Sequence, residues 1–208
     1  RMDRPEDFEA NPVTGKVYLV LTNNNQREID QIDEANPRVH NLHGHIIEMT
    51  EDNDDHAATT FTWEIFLLAG DPAQGSTYFG GFSRDEVSPF SAPDNITFDV
   101  DGNLWISTDG MPNNLPGNDG LFVVPTEGEA RGRVQQFFSS VPGAEVSGPV
   151  FNPDNSALFA SIQHPAEGST YEEPLTRWPD GGTTAPPRPS VVLIQAGDGT
   201  ARVGTNRG

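Results

Sequence analysis

DNITFDVDGNLWISTDG, residues 94–110, holds an extended run, a tight turn and an apolar run in that order. Asp-Gly and the neighbouring Asn favour a reversal, because Gly and Asn tolerate positive φ at little steric cost. The apolar run Leu104, Trp105, Ile106 then ends in Ser107, Thr108 and Asp109, so the stretch is a β-hairpin whose second strand closes on polar residues. Two further stretches follow the same plan: EDFEANPVTGKVYLVLTNN at 6–24 and SGPVFNPDNSALFASIQHP at 147–165. In both, Asn-Pro supplies the turn, with Pro presetting one backbone angle.

More strands follow each hairpin. GHIIEMT (44–50) and TFTWEIFLLA (60–69) come after the first, GLFVVPT (120–126) and RVQQFFSSV (133–141) after the second, and SVVLIQA (190–196) after the third. A hairpin plus two strands makes a four-stranded unit of about 40 to 50 residues stretched by loops, the period of propeller blades. The pattern therefore predicts an all-β fold and one partial β-propeller domain over 1–208. It has about three four-stranded blades (near 1–70, 90–142 and 143–200), the last lacking its outer strand. An antiparallel sandwich shares the regular strand spacing, but the turn repeated at one place in each unit favours the propeller. Three blades do not close a ring of the usual four to eight. An incomplete ring is expected, its missing blades supplied by the same protein or another chain. The loops at 25–41 and 70–93 are long and polar. The Pro/Gly-rich segment 165–190 exceeds what a connection needs and is expected to cap a face or meet a neighbour.

Charge narrows the function classes. The chain has 31 acidic and 12 basic side chains among 208 residues, a formal charge of -19, which repels nucleic acid and anionic membrane surfaces. Neither is expected as a partner. There is no cysteine, which removes disulfides, zinc-thiolate sites and a cysteine nucleophile. No run of about 18 apolar residues is present to span a bilayer as a helix. The nucleophile elbow, the P-loop, the HEXXH motif and the dinucleotide fingerprint are also absent.

Candidate site residues come from aligning the units on their turn residues Asn11, Asp99 and Asn152. Five places back lie Glu6, Asp94 and Ser147, and two further back in the third unit, on the same strand face, lies Glu145. Carboxylates converging on one axis repel unless protonated or bridged by cations, and a hard metal such as Ca²⁺ relieves that repulsion. Asp7 and Asn95, one residue on, approach the same ion if the strand entry is irregular. Arg4 shares the strand face of Glu6; its fork suits either phosphate oxygens or an ion pair with the neighbouring acids. The strand ends offer Asn23, Asn24, Thr108, Asp109, Gln163 and His164, a weak signal because polar residues are common there. His43 and His45 read as a surface pair rather than a metal site, and EDNDDH (51–56) as a solvated turn.

Several of these motifs occur together in one family. RPEDFEANPVTGKVYLVLTNN, GHIIEM, PDNITFDVDGNLWISTDG, GAEVSGPVFNPDNSALFASIQHP, and WPDGG followed by PRPSVVLI resemble, in order, the C-terminal part of PhoX-type alkaline phosphatases. The resemblance implies a periplasmic or extracellular phosphomonoesterase on a six-bladed propeller, with Ca²⁺ and Fe³⁺ in its channel and a phosphate monoester as substrate. It gives Arg4 the catalytic role of contacting substrate phosphate, and makes Glu6 and Asp94 metal ligands. Glu145 joins them mainly on blade geometry. The family's iron site uses a cysteine from blades N-terminal to this region, so these residues alone are expected to be inactive. Two other classes fit the residues: a calcium-dependent propeller lactonase or phosphotriesterase, and a non-catalytic acidic propeller used as an interaction scaffold.

Overall fold

The computed structural model describes residues 2–197 and 199–204. The fold is all-β, with three antiparallel sheets in which each strand pairs with the next in the chain. The first sheet holds β1 (Pro5–Ala10), β2 (Val17–Leu21), β3 (His45–Glu51), β4 (Phe61–Leu68) and β5 (Tyr78–Phe79). The second holds β6 (Pro93–Phe98), β7 (Leu104–Thr108), β8 (Gly120–Val124) and β9 (Gln135–Ser139). The third holds β10 (Glu145–Phe151), β11 (Ala157–Gln163) and β12 (Ser190–Gln195). The first sheet thus has one strand more than the four expected: the short β5 pairs Leu67 with Phe79.

The second sheet is sandwiched between the other two, and β7 shows why its sequence permits this. Successive side chains on a strand point to opposite faces, so a strand covered on both sides reads as a continuous apolar run. All five residues of LWIST are buried. Leu104 and Ile106 enter one core with Tyr18, Ile46, Phe66 and Phe122. Trp105 enters a second core with Leu121, Val146, Leu158 and Ile162. Each such large side chain contributes about 2–3 kcal/mol through burial. Trp105 also donates its indole N–H to Asp99 Oδ2 at 3.0 Å, so its polar edge is not left unpaired. By contrast β12 alternates, with Val192 and Ile194 against the second core and Val191 and Leu193 exposed.

Side chains at both ends of the hairpins tie the first sheet to the second and the second to the third. At the turn ends, Asn11 Nδ2 donates to Gly102 O at 3.0 Å, and Asn155 Oδ1 accepts from Val100 N at 2.7 Å. At the opposite end, Asp7 Oδ2 accepts from Ile96 N at 2.9 Å, and Asn95 Oδ1 accepts from Gly148 N at 2.8 Å. Asp7 and Asn95 thus fasten neighbouring sheets.

The first strand of every sheet slips register once: between Pro5 and Phe8, between Pro93 and Ile96, and between Ser147 and Val150. These β-bulges make Pro5, Pro93 and Ser147 equivalent, so Glu6 and Asp94 correspond to Gly148 and not to Ser147. The third hairpin is one residue shorter between bulge and turn, which a count from the turn does not reveal. The surface reading of His43 and His45 is likewise corrected. His45 is fully buried, with Nδ1 3.1 Å from Asn41 Nδ2 and Nε2 2.8 Å from Ala35 O, and His43 is half-buried beside Ser91. The acidic run at 51–56 holds an exposed 3₁₀ turn, Asp52–Asp54.

Candidate active site

Antiparallel pairing brings the starts of β1, β6 and β10 to the same end as the finishes of β2, β7 and β11. Every candidate residue sits there. The chain enters β1 and β6 identically: Arg4 and Ala92, each followed by proline, both adopt left-handed backbone angles, with φ of 53° and 54°. Their carbonyls accept from Thr22 N at 3.1 Å and from Asp109 N at 3.0 Å. A left-handed residue other than glycine costs about 1–2 kcal/mol, and such costs gather where a side chain must be aimed. The bulge that follows re-aims the next side chains, Glu6 and Asp94.

Arg4 is largely exposed and splits its fork, Nη1 donating to Asn23 Oδ1 at 3.1 Å and Nη2 to Glu6 Oε1 at 3.2 Å. Asp94 is in the opposite situation. Half-buried, its carboxyl is raised to a pKa of about 7, first by burial and then by the charges of Glu145, Glu6, Asp109 and Asp7. Among the described residues no donor hydrogen-bonds to its carboxylate. Glu145 also lies above the ordinary carboxylate range, mainly through burial, with Asp109 and Asp119 adding repulsion and His164 opposing it. Its Oε1 accepts from Gln163 Nε2 at 2.7 Å, and its Oε2 lies 3.1 Å from His164 Nε2.

Several polar strand ends thus meet the candidate residues despite their weak sequence signal: Asn23 holds Arg4, Asp109 bears on Asp94, and Gln163 with His164 holds Glu145. Asp119 had no sequence signal. It accepts from the Thr108 hydroxyl at 2.6 Å, from Met111 N at 2.8 Å and from Gly110 N at 3.0 Å, fixing the loop that starts at Asp109. Burial raises its pKa against those bonds.

The acids expected to gather about an ion lie within electrostatic reach of Asp94. Among the described residues, however, no three His, Asp or Glu side chains form a group placed to hold a metal ion. Glu6 is engaged by Arg4, and Glu145 by Gln163 and His164, so each holds another partner. The donors are nevertheless hard carboxylate oxygens, concentrated where no cation pairs with Asp94, and this chemistry suits Ca²⁺. Nothing in the set is soft, and the chain has no cysteine.

A family model described as alkaline phosphatase PhoX matches residues 1–166. The structure of Pseudomonas fluorescens PhoX in complex with vanadate, a transition state analogue, is similar at 36% identity and a TM-score of 0.81. The match covers 98% of this chain and 35% of that one, so the chain spans about a third of that protein's length. No curated protein matches.

Proposed function

The chain belongs to the PhoX alkaline phosphatase family, and from this we propose that it supplies part of the active site of a metal-dependent phosphatase acting on phosphate monoesters. The observation that carries the reading is Asp94: a half-buried carboxylate among four other acids, with no cation paired to it among the described residues. Glu6, Asp94 and Glu145 would hold cations. When bound, Ca²⁺ and Fe³⁺ would polarise the phosphoryl group and activate water. The donors here suit Ca²⁺; the cysteine that the resemblance implies for iron is not in this chain, which assigns that ligand elsewhere. Arg4 would offer two parallel N–H donors to phosphate oxygens and offset the charge growing on them in the transition state. Asn23 holds that guanidinium in place from one side while Glu6 holds it from the other.

The three sheets would be successive blades of a ring completed by N-terminal blades, which accounts for a chain spanning 35% of the P. fluorescens protein. These 208 residues alone would be inactive. A periplasmic or extracellular location follows from the family, and no described helix is long and apolar enough to cross a membrane.

The test is an assay of the complete protein with a phosphate monoester, a phosphotriester and a lactone. Monoester hydrolysis that collapses in Glu6→Gln and Asp94→Asn, with folding retained, is expected. Hydrolysis of the triester or lactone with Ca²⁺ alone, or monoester activity indifferent to both substitutions, overturns it.

A further inference from the structure

A cleft of about 760 Å³ lies directly against Arg4. Its composition is unlike the rest of the chain: among the described residues no acidic side chain lines it, whereas Asn23, Asn24, Asn25, Gln26 and Gln31 all do, beside Met2 and Arg27. Their bonding gives the cleft a direction. Asn23 Oδ1 accepts from Arg4 Nη1 at 3.1 Å, Asn24 Oδ1 from Gln26 N at 3.1 Å, and Gln31 Oε1 from Glu28 N at 3.0 Å. Those three partners can only donate, so each amide must turn its oxygen inward to the protein. Asn25 Oδ1 likewise accepts from Gln26 Nε2 at 3.0 Å. The four NH₂ groups left over, on Asn23, Asn24, Asn25 and Gln31, have no partner among the described residues.

The cleft is therefore lined mainly by neutral donors, with Met2 and the Asp3-paired Arg27 completing its wall, and is continuous with the cation assigned to phosphate. We propose that it receives the leaving group of the monoester, and that this group is a hydroxylated, oxygen-rich alcohol of the sugar or polyol class. Hydroxyl and ring oxygens accept from such amides, whereas an aryl group would strip water from the donors and leave them unpaired. The inference rests on the phosphatase reading, with Arg4 on the phosphate.

Isosteric substitutions test it in the complete, metal-loaded protein. Asn25→Asp and Gln31→Glu keep the oxygen that accepts from Gln26 or Glu28 and replace only the outward NH₂. Glucose 6-phosphate and phenyl phosphate carry the same phosphate, so the repulsion it meets from the added charge cancels in the ratio of their kcat/KM values. That ratio is expected to fall about ten-fold in each variant, chiefly through KM for the sugar phosphate. A ratio within two-fold of the parent's, in variants that retain the parent's circular dichroism, overturns the leaving-group site while leaving the phosphatase reading intact. A parent that hydrolyses neither ester sinks the phosphatase reading itself, and this inference with it.

Discussion

Two carboxylates of this molecule, Glu48 and Asp94, share a kind of strand and differ in company. Glu48, in the middle of β3, is almost fully buried. It accepts from the Tyr18 hydroxyl at 2.5 Å, from Lys16 Nζ at 3.0 Å and from Arg131 Nη2 at 2.9 Å. Arg131 in turn lies 4.8 Å over the Phe66 ring. A buried carboxylate is tolerable only when paired and hydrogen-bonded, and here the single lysine and an arginine converge on one glutamate while each also reaches an exposed one, Lys16 to Glu127 and Arg131 to Glu64. Burial and Glu48 together push the Tyr18 phenol pKa upward, so this hydroxyl stays a donor. Asp94 is less buried yet, among the described residues, receives neither cation nor donor, and its neighbours are acids. In a chain that compensates its interior charge this thoroughly, an uncompensated acid at a shared strand end is the reason for proposing that charge arrives there from outside.

If that contrast is right, neutralising the two residues has opposite consequences. Asp94→Asn and Glu6→Gln should lower monoesterase activity of the complete enzyme by about 10²–10³-fold or more, the scale for removing one preorganised electrostatic group. The melting temperature should hold or rise. Glu48→Gln should do the reverse, destabilising the fold by about 2–3 kcal/mol because Lys16 and Arg131 lose their one buried carboxylate and keep only the exposed Glu127 and Glu64, with kcat near that of the parent. Denaturant unfolding beside steady-state kinetics reads both effects. A catalytic loss in Glu48→Gln at full stability, or unfolding in Asp94→Asn, would break the comparison.

The sequence made the hairpins legible because turn chemistry and alternation are local, and every strand expected from them is present. The irregularities within strands were not legible. A bulge adds a residue without altering the apolar pattern around it, so the repeated slips beside Pro5, Pro93 and Ser147 left no trace, and Ser147 was aligned where Gly148 belongs. Glu6 and Asp94 could be singled out because an acid repeats at one place in successive units, and Arg4 because it shares the strand face of Glu6. Asp119 could not, since a lone acid in a Gly- and Asn-rich loop looks solvated until its backbone partners are known. His45 failed for a related reason: its cover comes from the loop at 25–41 folding back, with Asn41 and the Ala35 carbonyl closing over the ring.

That misread histidine gives the next effect in size. Burial, opposed by the Ala35 bond, lowers the His45 pKa to about 4 from an ordinary 6.5. With the folded value below the unfolded one, the neutral ring contributes stability above pH 6.5. The contribution is lost progressively as pH falls towards 4, because the unfolded chain takes up the proton first. The loss should amount to about 2 kcal/mol. His45→Gln, though less stable at pH 8, should show a flatter dependence of stability on pH between 7 and 4.5. An unchanged slope would assign the acid sensitivity to other groups.

The smallest effect returns to Asp94 and carries the opposite sign. Its folded pKa, about 7, lies above the ordinary carboxylate value, so the folded state binds the proton more tightly than the unfolded chain does. In metal-free protein this favours folding below pH 4 and is lost as pH rises through 7. Asp94→Asn should then be more stable than the parent at pH 8, by on the order of 1 kcal/mol given the group's partial exposure, and equal to it at pH 4. Added Ca²⁺ should erase the difference at pH 8 by stabilising the parent alone, because a cation that binds the folded state opposes the repulsion the asparagine lacks. Thermal unfolding with and without Ca²⁺ at both pH values separates the cases. If Ca²⁺ stabilises parent and variant equally, the cation sits elsewhere, and the empty surroundings of Asp94 do not mark a site.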